Sequence, residues 1–137
     1  MAEQRIHLNK KQKKTMYKLI NECKESGFRS LSRSKIRKGC KGLSEQERRY
    51  LFKSMISEKK VIKLSDGRLI HPDIMNEVKD LVGEHIHRTG RITIAECKDL
   101  LGVGRDVLIP ILEYLDRINF TIRRGDHRVM HSEQKVS

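Results

Sequence analysis

Near its end the chain gathers Arg117, Arg123, Arg124 and Arg128 within twelve residues, and the last three, with His127, surround a Gly125-Asp126 pair. A guanidinium donates through a planar fork, so arginines on a tight projecting turn suit phosphate oxygens and the edges of bases. The plain alternative is a basic but idle turn. A second candidate lies upstream. Arg105 follows the glycine-flanked turn Gly102-Val103-Gly104 at the start of a helical pattern. Backbone amides and the positive end of a helix dipole converge there, so Gly104 and Arg105 together could hold a phosphate or a base. Asp106, next in line, reads as ordinary compensation of the dipole.

Other chemistries find little support. No G-x-x-x-x-G-K-[ST] phosphate loop occurs, and no local signature of a Ser or Cys nucleophile stands out. The chain therefore reads as non-enzymatic and without a cofactor. His85-Ile86-His87 resembles a metal pair until it is placed on a helix, where residues two apart point about 200° from one another. No metal site is assigned. Cys23, Cys40 and Cys97 are odd in number, widely spaced and without a C-x-x-C, so they read as reduced core fillers. The start has no apolar segment of a secretory signal, and no window approaches the length of a membrane span. A cytoplasmic protein that does not engage membranes is expected.

Charge narrows the partner. The formal net charge is +12 in 137 residues, which favours a polyanion. It is unevenly placed. Residues 1–71 hold twenty Lys and Arg against seven Asp and Glu, a net +13, while residues 72–137 hold ten against eleven. In the first half the cations run as Lys10, Lys11, Lys13 and Lys14, and then as Arg33, Lys35, Arg37 and Lys38. The functional reading is a salt-sensitive face that tracks phosphates without reading sequence. The plain reading is a solvated surface.

These candidates must be positioned by short helices. Asn9 can cap a helix to about Glu25 whose inner stripe is Met16, Leu19, Ile20 and Cys23. A short helix over Ser32 to Gly39 turns Ile36 inward. Ser44 and Glu47 form a capping box that opens a third helix to about Glu58, with Tyr50, Leu51, Met55 and Ile56 inward. Val61 to Leu64 and Leu69 to His71 flank an Asp-Gly turn and read as a hairpin. The order then repeats: Pro72 to about Gly90, Thr93-capped to Leu101, Arg105 to Ile118 with Pro110 bending it slightly, then Phe120 to Arg123 and His127 to Met130 as a second hairpin. Helix, helix, helix, hairpin is the winged-helix form of helix-turn-helix. The fold class expected is mostly α with short β-hairpins, as two tandem winged helices, residues 1–71 and 72–137. The polar tail from Ser132 is expected to lack structure.

The string from Ile92-Thr93-Ile94-Ala95-Glu96 to Gly102, then Arg105, then Leu112-Glu113-Tyr114-Leu115-Asp116-Arg117, then Thr121 with Arg123-Arg124-Gly125-Asp126 and Arg128 resembles the last winged helix of the bacterial selenocysteine-specific elongation factors. The resemblance covers about Ile92 to Met130. It implies binding of a messenger-RNA stem-loop, the selenocysteine insertion element, and work in translation. It places RNA contacts on Gly104 and Arg105 and on Arg124, Gly125, Asp126, His127 and Arg128. It implies that GTPase and ribosome contacts belong to upstream domains, and a monomer is expected. Here the helix starts Gly104-Arg105-Asp106, where the family often has Ser-Arg and a basic residue. The reading from another class is a winged-helix DNA-binding transcription regulator, which the acids Asp106, Glu113 and Asp116 on the third helix oppose.

Overall fold

Asn9 begins the first helix by reciprocal capping. Its Oδ1 accepts from the Gln12 amide at 2.8 Å while Gln12 Oε1 accepts from the Asn9 amide at 2.8 Å. In the computed structural model, which describes residues 7–131, this helix, α1, is Lys10–Ser26 and buries Gln12, Met16, Leu19 and Cys23 along one stripe. Gly27, at φ 59°, ends it. A residue with a Cβ adopts that conformation only at a cost. Helix α2, Arg33–Gly39, is capped by Ser32 and turns in Ile36. Helix α3, Glu45–Ser57, opens on the Ser44/Glu47 capping box. Strands β1, Ile62–Lys63, and β2, Leu69–Ile70, pair antiparallel. Leu31 and Leu69 form an isolated antiparallel bridge, exchanging hydrogen bonds of 2.7 and 3.1 Å.

Two inward assignments on α3 need correction. Tyr50 is 49% and Ile56 38% exposed, and the inner face is Leu51, Ser54 and Met55. Positions 51, 54 and 55 already complete a helical stripe at spacings of three and four, and position 50 lies outside it.

The second half begins with α4, Pro72–Thr89, which buries Ile74, Met75, Val78, Val82 and Ile86. Strand β3, Ile92–Thr93, leads straight into α5, Ile94–Leu101, capped by the reciprocal pair Thr93 and Glu96. Gly102 closes α5 in the left-handed region at φ 67°. Helix α6, Arg105–Arg117, carries the strongest inner stripe, Leu108, Ile111, Leu112 and Leu115. Pro110 is accommodated inside it. Strands β4, Thr121–Arg124, and β5, His127–Met130, follow. They form a three-stranded antiparallel sheet in the order β3-β5-β4.

The chain divides into two compact units. One comprises the chain through Lys63 with Gly67–Pro72, the other Leu64–Asp66 with the chain from Asp73 onward. Each has its own aliphatic core. The molecule is thus mostly helical with small antiparallel sheets. The tail from Ser132, expected to lack structure, lies outside the described residues.

Candidate nucleic-acid interface

The hairpin of β4 and β5 turns in two residues, Gly125 and Asp126. Gly125 has φ 66° while Asp126 stays out of the positive region, so the glycine is needed at the first turn position. Register decides where the arginines go. Arg123 lies opposite Arg128, and Arg124 opposite His127. Directly opposed residues share a sheet face and neighbours in sequence alternate. Arg123 and Arg128 therefore share one face, and Arg124 and His127 the other.

Two guanidinium groups facing each other across a ladder repel. The structure separates them. Arg128 is only 3% exposed. Its Nε donates to Asp116 Oδ1 and Oδ2 at 3.1 and 3.2 Å, and its Nη2 to Oδ2 at 2.9 Å. Thr121, also buried, donates its hydroxyl to Asp116 Oδ1 at 2.7 Å. Asp116 thus ties α6 to both strands. Arg123 is exposed and folds toward the turn, its Nε donating to the Gly125 carbonyl at 3.1 Å. Arg128, expected to present its guanidinium to a ligand, instead turns Nε and Nη2 inward to Asp116, a pairing that sets the hairpin on α6.

The other residues fall into two groups. Arg105, Arg123, Gly125 and Asp126 line one open concavity of about 540 Å³, together with Thr93, Ile94 and Ala95. The start of α6 and the hairpin tip are therefore brought to a common surface. Gly104, the N-cap of α6, offers no side-chain acceptor to the first-turn amides, which leaves them to solvent or to an anion. A Cβ at Gly104 would meet nothing within 4 Å, so nothing crowds this approach. Arg124, exposed, and His127, half-buried, stand on the opposite face of the hairpin. His127 Nδ1 lies 3.2 Å from Asp126 Oδ1. That hydrogen bond is the main cause holding the Asp126 carboxyl below its ordinary value.

Thr93, Ile94 and Ala95 were not read as site residues. The sequence signals Thr93 only as a helix cap, which it is, and Ile94 and Ala95 only as the opening of that helix. They line the concavity with Arg105 and Arg123, and Thr93 stands opposite His127 where β3 pairs with β5. Tyr114, half-buried, carries the Arg117 guanidinium 5.4 Å above its ring centre. The histidines do not converge. His85 faces Glu96 at 3.5 Å, and His87 is exposed.

In the first unit Lys10, Lys13 and Lys14 are exposed on α1, and Arg33, Lys35, Arg37 and Lys38 on α2. Lys11 is partly engaged. Its Nζ donates to the Gly42 carbonyl at 3.2 Å and lies 3.9 Å from Glu47. Lys35 and Lys38 line an open groove with Lys18 and Arg29, which Glu22 and Glu25 share.

In the second unit, three helices, a short strand between the first two, and a terminal hairpin paired back onto that strand define a winged helix. The family model for the winged helix of elongation factor SelB matches residues 84–130. Residues 84–130 of this C-terminal module are thus similar to the winged helix of SelB. The selenocysteine-specific elongation factor of Escherichia coli (strain K12) is 32% identical over 89 residues, which are 65% of this chain and 14% of that protein. That of Desulfomicrobium baculatum is 29% identical over 87 residues, again 14% of its length. The chain thus spans about one seventh of the curated relatives it matches. Among solved structures, the mRNA-binding domain of elongation factor SelB from E. coli in complex with SECIS RNA superposes with a TM-score of 0.76 at 26% identity, covering 91% of this chain and all of that one. A bacterial selenocysteine-specific elongation factor, EF-Sec, shares the fold with a TM-score of 0.67 at 21% identity, over 87% of this chain and 19% of that one.

Proposed function

We propose that this chain is the messenger-RNA-binding part of a selenocysteine-specific elongation factor and that it grips a selenocysteine insertion hairpin through its last winged helix. The observation that carries the reading is the likeness, end to end, to the domain solved with SECIS RNA. In this reading the two units are tandem winged helices, residues 1–71 and 72–137. The repeated element order, with Leu31 bridging to Leu69 as β3 pairs with β5, supports it. The chain itself is non-enzymatic. The GTPase and the ribosome contacts belong to other parts of the whole protein, which acts as a monomer in the cytoplasm.

The site works through fixed donors. RNA is read mainly at unpaired loop and bulge bases, because A-form grooves hide base edges. The concavity offers the start of α6 at Arg105, next to its Gly104 cap, two guanidinium groups from Arg105 and Arg123, and the turn at Gly125 and Asp126. A splayed-out base or its phosphate can dock there between two rigid elements. Asp126 contributes an ionised acceptor for a base amine, and its hydrogen bond with His127 lowers its pKa further. Arg124 reaches phosphates on the other side of the wing. Asp106 and Glu113, exposed along α6, oppose the lengthwise insertion of that helix into a duplex groove that a DNA-binding regulator would need. Exposed Lys10, Lys13 and Lys14, with Arg33, Lys35, Arg37 and Lys38, add sequence-independent attraction.

The test is binding of a bulged RNA stem-loop and of duplex DNA of equal length across a salt series. Arg105→Ala and Arg123→Ala are each expected to weaken stem-loop binding by about 1–3 kcal/mol, with non-additive effects in the double variant because they line one concavity. Equal affinity for the two ligands refutes the reading.

A further inference from the structure

The outward face of α3 has no part in the wing site, yet it has the composition of a nucleic-acid contact. Gln46, Arg49, Tyr50 and Lys53 are all exposed, at spacings that place them on one side of the helix. The Tyr50 ring is 49% exposed. This stripe holds two cations and no carboxylate. Glu45, beside it, accepts a hydrogen bond from Arg49 Nη2 at 3.2 Å. The corresponding helix of the second unit differs. On α6 the exposed positions include Asp106 and Glu113, and Tyr114 is half-buried with Arg117 over its ring.

An aromatic ring held in water between cations serves poorly as core and well as a stacking platform. The half of the chain that carries it holds a net charge of +13, which is complementary to a polyanion and repels a basic protein. Unpaired bases expose π-faces that a duplex conceals, and stacking tolerates any base. We propose that the outer face of α3 binds single-stranded nucleic acid, with Tyr50 stacking on an unpaired base and Arg49 and Lys53 taking the flanking phosphates. This is a second contact, carried by α3 alone, and it does not rest on the wing reading.

The whole chain would be titrated with a short unstructured RNA oligomer and with a fully paired duplex of the same length. Tyr50→Ala should weaken oligomer binding roughly five- to hundredfold, the range of a lost stacked base. It should leave duplex binding nearly unchanged. Tyr50→Phe should retain oligomer binding, because the ring remains. Lys53→Ala should lower the salt slope by about one phosphate contact. The sequence contains no Trp, so Tyr50→Trp gives a single fluorophore whose emission should be quenched by the oligomer. Circular dichroism on each variant checks that the fold persists. No measurable oligomer binding by the parent chain, unchanged affinity in Tyr50→Ala, an equal loss on the duplex, or an unquenched Trp with oligomer bound would each overturn the proposal. Arg123→Ala keeps the two sites apart: its failure to affect the stem-loop would remove the wing site and leave the α3 result standing.

Discussion

Removing the Asp116 carboxylate tests most directly how the wing is held. Asp116 accepts three hydrogen-bond contacts from Arg128 and one from Thr121, all between 2.7 and 3.2 Å. The two ends are unequally buried: the Arg128 side chain is 4% exposed and that of Asp116 27%. Asp116→Ala leaves a guanidinium unpaired in the interior, and breaking a buried pair from one side costs about 3–5 kcal/mol. Partial solvation of Asp116 places the expected loss near the lower end, about 3 kcal/mol. Arg128→Met keeps most of the packing and leaves a carboxylate that water reaches and Thr121 still serves. Its cost should be about 1.5–2 kcal/mol, the lower part of the range for a hydrogen bond to a charged group, because no interior charge is orphaned. The assay is urea unfolding followed at amides of β4, β5 and α6, so that the second unit is read by itself. RNA binding is then measured where every variant is fully folded. Equal costs for the two substitutions would refute the argument from unequal burial. A loss of stem-loop affinity in folded Arg128→Met as large as that of Arg123→Ala would show Arg128 reaching the ligand.

Three further outcomes follow from other residues. Gly104→Ser should be accommodated, since a Cβ there meets nothing within 4 Å. It should raise the stability of the second unit by a few tenths of a kcal/mol through N-capping, as thermal unfolding would show. Burial pushes the Cys23 thiol up to about 12 and that of Cys97 to about 11. A raised pKa means that the folded state holds its proton longer, so stability is full below the ordinary thiol value of 9.0 and falls as pH climbs toward 11 to 12. Alkaline unfolding should show this decline, and Cys23→Ala and Cys97→Ala should flatten it. Replacing Lys10, Lys13 and Lys14 together by Ala should reduce the salt slope of RNA binding without changing which stem-loop is preferred. A changed preference would mean that the first unit reads sequence.

What could be read in advance was whatever a few neighbouring residues decide. The Asn9 cap, the two capping boxes at Ser44 and Thr93, the glycine stops and the Gly-Asp turn are local chemistry, and the helices begin and end within a residue or two of those signals. The stripe of α6 is long enough for periodicity to settle the inner face, whereas on α4 periodicity places Ile74, Val78, Val82 and Ile86 but passes over the buried Met75. At Tyr50 residue type and helical phase disagree: a large apolar ring looks like core, while positions 51, 54 and 55 already fill it. Arg128 was misplaced because its fate depends on a partner twelve residues away. Strand alternation would have put it on the same face as Thr121. Only the packing of β5 over α6 shows that this face is shut and that a carboxylate waits there. The nearness of Thr93 to Arg123 depends on the strand order β3-β5-β4, a choice of topology that no local pattern encodes.

The Asp116 tether has a consequence for how such a module can change its target. The atoms that hold the hairpin in place belong to Asp116, Thr121 and Arg128, while the side chains at its tip carry almost none of the fold's weight. Arg123 leans on its own turn, and Arg124 and Asp126 project outward. A tip so mounted behaves as an exchangeable head on a fixed shaft. Successive substitutions at 123, 124 and 126 can change the chemistry of the tip without first destabilising the scaffold, and selection libraries confined to those three positions can do the same deliberately.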